Sequence, residues 1–576
     1  MGHGHHHHGH DVPFAPDDVP AVLDTSVPDS ELSPDEVTRR GFLRNAGLLG
    51  AGAATGSVFA GAGAASADAG SSRSVAEGGD GGHRDDDRSR PGNLRWLAGD
   101  HHIHTQYSSD AMYRVIDQAQ HAAAYGLDWM VVTDHGSVAH AKIGVDKVNP
   151  NIVAAREELP DMLIFQGLEW NIPAAEHGTV FVTPGRNEVA VLKEFENAFD
   201  GTVTNTSGST PANEAHAIAG LNFLADAVKR RRVEHALFLA NHPARRGVDS
   251  PHEFRGWREA APGVAVGMEG APGHQAAGIP APHGPGSGRG FYDNAPSAAS
   301  FPGYPLESYR TWGGFDFFTA TVGGLWDSLL AEGRPWWVTA NSDAHTIYLD
   351  TAVRGPNSDF NANGAYNDPV HGGVPNGAAG DFWPGYYSKT HVGAAGASYR
   401  AVMEGIRDGR IWVDHGGLIR NLDVRVKVQG DRDGGTTLGG ALSVRRGSSV
   451  ELTIDIDLAT TPNWAQILPV LTRVDVIAGA VTGPAADKDV FTAPGTKVVK
   501  SFEVTAGKKR VSFTHRFPRV DAPFYVRVRG TDGNRTAAGF NGAAVDPVGP
   551  AMDVVGSADP WGDLWFYANP IWVLPR

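Results

Sequence analysis

The sequence predicts an α/β protein in which a parallel-stranded unit precedes a smaller antiparallel one. From Leu94 to about Gly417, short apolar runs alternate with helical patterns, which is typical of a parallel sheet or barrel. After Leu418 the apolar residues recur at every second position, which indicates half-buried antiparallel strands and predicts a small β-sandwich. The length of 576 residues is too great for one ordinary core and agrees with two folded units.

A leader and a linker are predicted before the first folded unit. Residues 1–67 resemble a twin-arginine signal peptide with a histidine-rich start, because Arg39 and Arg40 precede a Gly/Ala-rich stretch and a cleavage site after Ala67. The stretch is too rich in glycine to anchor a helix stably in a bilayer. Residues 68–93 have the composition of a flexible linker. We therefore expect export by the twin-arginine translocation machinery to a secreted, extracytoplasmic location, without a stable membrane anchor.

The first unit, residues 94–417, is predicted from runs of two kinds. Apolar runs of strand length occur at residues 129–132, 163–165, 236–239 and 336–338. Helical spacing occurs at residues 115–125, 221–231 and 325–332. Residues 251–305 are rich in Pro, Gly and Ala and are predicted as a long insertion loop, functional or disordered. The histidines of this loop either cover a pocket or are solvated.

The second unit, residues 418–576, is predicted as an antiparallel β-sandwich with a C-terminal tail. Leu422, Val424 and Val426 alternate with charged residues, and residues 452–458 repeat the pattern. The aromatic residues near the C terminus are expected to pack in the core or between the two units. The expected role of the sandwich is to pack against the first unit.

Composition excludes some kinds of function. The formal net charge of -16 argues against a general nucleic-acid-binding protein, because no broad basic surface is available for phosphate backbones. The sequence has no cysteine, so neither disulfides nor thiolate metal ligands contribute. Any transition-metal site must therefore use histidine and carboxylate ligands.

Residue types that bind metals follow the apolar runs of the first unit. His102 and His104 are two apart in a predicted strand, so both side chains point to one face and reach one ion. The later runs end in the same residue types, at His135, Glu169, His242, Asp343 and His345, with His177 shortly after Glu169. A single such histidine is most simply structural, but the carboxyl ends of parallel barrel strands surround one mouth, so the set indicates one shared site.

The ordered motifs HHIHT, TDH, GLEW, NHP and NSDAH resemble those of the PHP superfamily, named for polymerase and histidinol phosphatase. The resemblance covers residues 94–417 and implies a distorted (β/α)7 TIM-like barrel that holds two or three divalent ions. The ending FYANPIW is similar to the tail of secreted PHP hydrolases related to carbaryl hydrolase.

Carried over residue by residue, the resemblance implies a set of metal ligands. These are His102, His104, Asp110, His135, Glu169, His177, His242, Asp343 and His345. Glu169 is expected to bridge two ions, and Glu169, Asp343 and His345 are the predicted catalytic residues. Asp134 fits as a neighbour that orients a ligand.

The implied chemistry is hydrolysis by water that a metal ion activates. The ligand types suit zinc, manganese or iron, and Asp343 or a nearby histidine is expected to protonate the leaving group. A small-molecule phosphoester is the preferred substrate, with Arg245 and Arg246 as a phosphate clamp and Glu269 as a further substrate contact. The alternatives are a carbamate, ester or amide hydrolase on the same metal site, and a secreted binding protein without catalytic activity.

Overall fold

The computed structural model describes residues 94–292, 295–432, 434–505, 507–533 and 559–576. Residues from Leu94 to Arg576 form one compact unit. The predicted signal peptide, residues 1–67, and the predicted linker, residues 68–93, lie outside the described residues. Within the described ranges, no helix has both the length and the apolar character needed to cross a membrane.

Strands make up the larger part of the regular structure. Their bounds are β1 (Arg95–Ile103), β2 (Trp129–Val132), β3 (Leu163–Asn171), β4 (His177–Val182), β5 (Ala236–Ala240), β6 (Ala265–Ala271), β7 (Thr311–Trp312), β8 (Phe315–Asp316), β9 (Trp337–Ala340), β10 (Ala352–Val353), β11 (Val370–His371), β12 (Ser388–Ala394), β13 (Ile411–His415), β14 (Ile419–Val428), β15 (Ala441–Val444), β16 (Ser448–Leu458), β17 (Arg473–Ala480), β18 (Lys497–Glu503), β19 (Arg510–Val520), β20 (Phe524–Thr531), β21 (Trp565–Ala568) and β22 (Ile571–Pro575).

The helices lie mainly between the strands of the first half of the chain. Their bounds are α1 (Val115–Ala124), α2 (Val145–Glu158), α3 (Glu188–Phe199), α4 (Gly201–Thr204), α5 (Pro211–Lys229), α6 (Pro251–Ala260), α7 (Phe317–Ala320), α8 (Leu325–Ala331), α9 (Phe360–Asn363) and α10 (Tyr399–Arg407). The predicted strands and helices of residues 115–338 are thus confirmed in type, with shifts at their ends.

Seven strands of the large sheet run in the order β1-β2-β3-β4-β5-β6-β9. Neighbours are parallel except at β4, which is antiparallel to both β3 and β5. The predicted parallel sheet or barrel is therefore interrupted at β4, a strand that the sequence analysis did not predict. Only residues 172–176 connect β3 to β4, and a connection this short makes a hairpin because a parallel crossover needs a dozen or more residues.

The two ends of this seven-strand path approach each other. A parallel bridge joins Ile103, at the end of β1, to Ala344, which follows β9. The mixed α/β fold is confirmed. Closure of a sheet into a barrel requires that its first and last strands meet, and this bridge joins their ends. The regular (β/α)7 barrel stays a prediction, to which the bridge lends support.

Strands of the C-terminal half extend the same sheet beyond β1. The order continues through β12, β13, β21, β20, β22 and β15, with β17 and β18 branching from β20. A separate antiparallel sheet consists of β14, β16 and β19. In it Leu422, Val424 and Val426 are buried while the residues between them are half-buried, as the period of two predicts. Buried residues of both sheets share one hydrophobic cluster, which supports the predicted sandwich. The boundary at residue 417 stays a prediction.

Residues 251–305 do not form one long loop, so that prediction is wrong. They include α6 and the buried strand β6. The start of α6 carries two local signals: Pro251 in the first turn, and a capping box in which Ser250 and Glu253 exchange side-chain-to-backbone hydrogen bonds. The Pro- and Gly-rich composition of the whole segment concealed these signals.

The C-terminal tail is part of the core. Trp565, Phe566 and Tyr567 are buried, which confirms the expected packing role of the closing aromatic residues. The side chain of Asn569 accepts a hydrogen bond from the Val338 amide at 3.0 Å and donates one to the Val338 carbonyl at 3.2 Å. The tail therefore supports β9, the strand that leads to Asp343.

Candidate metal centre

Backbone hydrogen bonds hold the segment with His102 and His104 beside the segment with Asp343. The amide of Asp343 donates to the His102 carbonyl at 2.9 Å, and the amide of His104 donates to the Ala344 carbonyl at 3.1 Å. His102 and His104 leave the end of β1 on one face, so their side chains lie against the Asp343 carboxylate. Residues about 240 positions apart in the sequence are thus fixed next to one another.

The segment with His135 is paired in the same way with Glu169. An isolated parallel bridge joins the two residues, and the Glu169 amide donates to the Asp134 carbonyl at 3.1 Å. The Asp134 carboxylate accepts from the amide of Thr105 at 2.6 Å and from its hydroxyl. Asp134 therefore ties the His104 loop to the His135 loop, which is the orienting position that the sequence predicts for it.

The reversal of β4 brings His177 to the site. His177 starts β4 and lies opposite Asn171, the last residue of β3. Because β4 runs backwards, its first residue lies at the edge where the parallel strands end. His177 then reaches Glu169, with its Nδ1 3.2 Å from Oε1.

Three residues of the site have left-handed backbone. His242 has φ 31°, Asp343 has φ 48° and His274 has φ 53°. Residues other than glycine seldom adopt this conformation, which costs of order 1–3 kcal/mol and concentrates at functional sites. The fold holds these side chains at the site in spite of that cost.

Glu169 lies at the centre of the cluster and is almost completely buried. Its carboxylate oxygens lie within 3.3 Å of five imidazole nitrogens, at 3.0 Å from His102, 3.3 Å from His104, 2.8 Å from His135, 3.2 Å from His177 and 3.3 Å from His242. Burial opposes ionisation, but His102, His135 and His177 hold the pKa of Glu169 well below its usual range.

His102, His104 and Asp343 form the inner part of the site. The two Nε2 atoms lie 3.0 Å apart, and Asp343 Oδ1 lies 3.1 Å and 3.2 Å from them. Burial alone lowers the pKa of His102, but Asp343, Glu169 and Glu269 together raise it well above its ordinary value. Two nitrogens and a carboxylate directed at one point are the arrangement that binds a divalent cation.

Asp110, His135 and His345 form the outer part. Asp110 Oδ2 lies 3.0 Å from His135 Nε2 and 3.4 Å from His345 Nε2. The His345 ring stacks on His104, with centroids 3.7 Å apart. Asp110 is half exposed, with 49% of its side-chain surface accessible. This part of the site therefore faces the solvent.

The sequence prediction missed Asp381, and it placed His274 only among the loop histidines that either cover a pocket or are solvated. His274 Nε2 lies 2.7 Å from Asp343 Oδ2, and its Nδ1 contacts Asp381. The other Asp381 oxygen accepts the amides of His345 at 2.6 Å and Thr346 at 2.9 Å. These two residues thus hold the Asp343–His345 segment in place. His274 follows the end of β6 by three residues, the signal that the other site residues carried, whereas nothing in the sequence marks Asp381.

Glu269 lies behind His102 rather than in the mouth of the site. It is fully buried, its Oε1 is 2.6 Å from His102 Nδ1, and its Oε2 accepts the His242 amide at 2.6 Å. Burial raises the pKa of Glu269, opposed by His102. The predicted substrate contact does not fit this placement; Glu269 fixes the orientation of His102 instead.

Arg245 and Arg246 lie beside a carboxylate that the sequence prediction missed. Glu176 Oε1 is 3.8 Å from Arg245 and 3.7 Å from Arg246. The side chain of Arg245 is 19% exposed, whereas that of Arg246 is 55% exposed. Burial opposes ionisation of Glu176, but His177 and Arg245 lower its pKa. Burial lowers the pKa of Arg245, but Glu176, Asp343 and Glu169 raise it, so Arg245 is the arginine that lies near the candidate metal centre.

The side chains fit divalent metal ions. Four groups of His and carboxylate residues have ligand atoms within 4.8 Å of one another among the described residues. Asp343 Oδ1 and His177 Nδ1 are buried without a partner in hydrogen-bond geometry. Such atoms are costly to bury, and a cation supplies the missing interaction. The donor set of imidazoles and carboxylates suits zinc, manganese or iron.

Residues 100–217 match the PHP domain family. This match confirms the predicted PHP resemblance for that part of the chain, and it includes the predicted ligands from His102 to His177. The PHP match does not include His242, Asp343 and His345. His242 follows β5 and the other two follow β9, and these strands bring them to the site. The resemblance to carbaryl hydrolase relatives stays a prediction.

Two solved structures match this chain at low similarity. A two-domain protein from Bacteroides vulgatus ATCC 8482, described as containing a predicted PHP-like metal-dependent phosphoesterase, is 14% identical, with a TM-score of 0.31 over 82% of this chain and 99% of its own. Endonuclease Q, in complex with a 27-mer duplex substrate that carries an abasic lesion, is 14% identical, with a TM-score of 0.17 over 33% of this chain and 47% of its own. At these TM-scores neither likeness informs the activity of this chain. No curated protein matches the sequence.

Proposed function

We propose that this chain is a hydrolase that cleaves phosphoesters with two or three divalent ions. The observation that carries the proposal is the buried Glu169 carboxylate with five imidazoles within 3.3 Å. A cluster of this kind without cations leaves charged and polar groups poorly compensated in the interior. The PHP match to residues 100–217 covers the centre of the cluster and supports the same assignment.

The proposed ligands fall into three groups that share Glu169 or His104. The groups are His102, His104, Glu169 and Asp343; His135, Glu169, His177 and His242; and His104, Asp110, His135 and His345. Ions held there supply Lewis-acid activation of water and of the substrate oxygen. Glu169 and Asp343 are catalytic in this proposal because they would hold the ions directly, and His345 is catalytic because it would transfer the proton.

The proton for the leaving group comes from a histidine in this proposal. Asp343 is unsuited to donate it, because His102, His274 and His345 hold its pKa well below the usual range against the effect of burial. His345 lies in the outer part and is 12% exposed. With two ions in the first two groups, His345 stays free for this transfer.

Arg245 is the proposed contact for the phosphoryl group. Its nearest carboxylate oxygen, on Glu176, is 3.8 Å away, which is beyond hydrogen-bond range. The guanidinium therefore keeps donors available for an anion, and an arginine fork matches the oxygens of a phosphate. Arg246 is too exposed to contribute as strongly.

Metal removal and reconstitution test the function. The full chain is stripped with a chelator, reloaded separately with Mn²⁺, Zn²⁺ or Fe²⁺, and assayed for release of nitrophenol from 4-nitrophenyl phosphate and its diester. We expect activity only after reloading, with two or three ions per chain. Glu169→Gln is expected to abolish it, whereas His391→Ala, which removes a histidine paired with Asp414 elsewhere, is the matched control. Chelator-resistant activity, or full activity of Glu169→Gln, would contradict the proposal.

Hydrolysis of a carbamate, ester or amide is the rival reaction on the same centre. The tail that suggested it supports β9 through Asn569, so it contributes to the fold rather than to a choice of substrate. Assays of 4-nitrophenyl acetate and a phenyl carbamate with the reloaded enzyme separate the two reactions. A kcat/KM that is higher for these substrates than for the phosphoesters would favour the rival.

We also propose that the protein is exported through the twin-arginine pathway. The support is the Arg39-Arg40 pair, the Gly/Ala-rich stretch and the cleavage site after Ala67. Expression of the full chain with Arg39→Lys and Arg40→Lys together is expected to leave the uncleaved protein in the cytoplasm. Unchanged export and cleavage would refute this assignment.

A further inference from the structure

A single phenyl ring lies exposed beside the metal centre. Phe291 is 42% exposed, although its neighbours Arg289 and Tyr292 are 1% and 5% exposed. Isolated exposed apolar residues are common on protein surfaces. Here, however, Gly290 and Tyr292, on either side of Phe291, are both buried.

The backbone around Phe291 is fixed in an unfavourable conformation. Phe291 has φ 51°, in the left-handed region that a phenylalanine seldom adopts. Its amide donates to the Gly288 carbonyl at 3.1 Å, and the Gly290 amide donates to the His274 carbonyl at 3.0 Å. Strain of this kind is typically retained where it places a functional side chain.

The Phe291 side chain packs against Gly380 and His274 and is otherwise accessible to solvent. A Cβ added to Gly380 would lie 2.3 Å from Cε2 and Cζ of Phe291, so the ring rests on backbone that only glycine leaves free. The ring centroid is 5.2 Å from that of His274, which bonds Asp343. Phe291 is therefore separated from the metal ligands by one imidazole.

The same segment is tied to the proposed phosphate contact. The Tyr292 hydroxyl donates to Asp316 Oδ2, and the same oxygen accepts the amide of Ala244, next to Arg245, at 3.0 Å. The cationic contact and the exposed aromatic ring thus belong to neighbouring, mutually bonded segments.

We propose that Phe291 is a specificity-determining residue that stacks against a planar aromatic leaving group, so that the preferred substrates are aryl or heteroaryl esters. This inference rests on the proposed phosphoesterase function. The phosphoryl group binds at the metal centre and Arg245, and the ring of the leaving group lies against the exposed ring of Phe291.

Competitive inhibition separates the stacking from the chemistry. Phenylphosphonate and cyclohexylphosphonate have similar size and the same phosphonate group, but only the first carries a planar ring. In the reloaded full chain, we expect phenylphosphonate to bind about 3- to 10-fold more tightly. Phe291→Leu is expected to bring the ratio of the two inhibition constants close to one, and Phe291→Trp is expected to retain it. Leu468→Ala, which removes an apolar side chain that is 49% exposed in the C-terminal half, is the control.

Different results overturn the two proposals. A ratio near one in the wild type, or a ratio that Phe291→Leu leaves unchanged, overturns the stacking role even if phosphoesters are cleaved. If no phosphoester is cleaved, the phosphoesterase proposal fails. The stacking role is then tested with carboxylic esters, by comparing the ratio of kcat/KM for phenyl acetate to kcat/KM for cyclohexyl acetate between the wild type and the same variants. A fall of that ratio in Phe291→Leu supports the stacking role of Phe291, and an unchanged ratio overturns it. Metal content and Tm of each variant show that the fold is intact.

Discussion

Replacing Glu269 by glutamine tests how the fold orients a metal ligand. Both partners of this carboxylate are donors: Nδ1–H of His102 at 2.6 Å and the His242 amide at 2.6 Å. A glutamine offers one oxygen and one NH2 group, so one donor must face another donor. Glu269→Gln therefore loses a charge-assisted bond and no longer fixes the Nδ1–H tautomer of His102, which leaves Nε2 free to bind the proposed ion.

The expected magnitude follows from the role of Glu269 behind a ligand. Loss of such a partner typically lowers metal affinity by about 10- to 100-fold, which is about 1.4–2.7 kcal/mol. Metal content is measured by elemental analysis against rising chelator concentration. The matched control is Glu332→Gln, because Glu332 is also buried and pairs with Arg255 at 2.6 Å, a residue that is not a proposed ligand. Equal metal affinity of Glu269→Gln and wild type, in a folded protein, would refute this reasoning.

Three further predictions concern positioning, packing and pH. Asp381→Asn is expected to lower kcat about 10-fold with little change in KM, because it loosens the segment with Asp343; unchanged steady-state kinetics would contradict it. Ile454→Ala leaves a cavity in the three-stranded sheet and is expected to lower the free energy of unfolding in urea by about 2–5 kcal/mol without changing kcat per folded molecule. Burial lowers the pKa of His140, but Glu196 raises it above 6.5, so their ion pair stabilises the fold below about pH 6.5 and less as pH rises through the raised pKa. The Tm lost in His140→Asn is expected to be larger near about pH 6 than near about pH 9, and equal losses would disprove it.

Much of the site was predictable because its residues carry local signals. The two-residue spacing of His102 and His104 requires only that they lie in a strand, since alternate side chains share a face. Short apolar runs before His135, Glu169 and Asp343 mark the ends of β2, β3 and β9 within a few residues. For these positions, the two-residue period of a strand and the type of residue after each apolar run were sufficient to predict the site.

Other site residues have no local signal, because only contacts distant in sequence define them. Asp381 lies in a loop, and its role depends on the His274 ring and the amides of His345 and Thr346. Glu269 and His177 stand near strand ends like the other site residues, but burial places Glu269 behind His102, and the hairpin reverses the strand that starts at His177. Composition also misled, because the Pro- and Gly-rich segment 251–305 contains α6 and β6.

The sequence by itself determined the alternation of strands and helices, the absence of thiolate ligands and the choice of histidine and carboxylate for a metal site. Each of these is a property of residue type and spacing along the chain. Only the tertiary structure decided that Glu169 lies among five imidazoles, that Asp381 and His274 hold Asp343, and that C-terminal strands continue the sheet of β1. The physical reason is that strand order and direction depend on packing and connection length over the whole molecule, which no local pattern encodes.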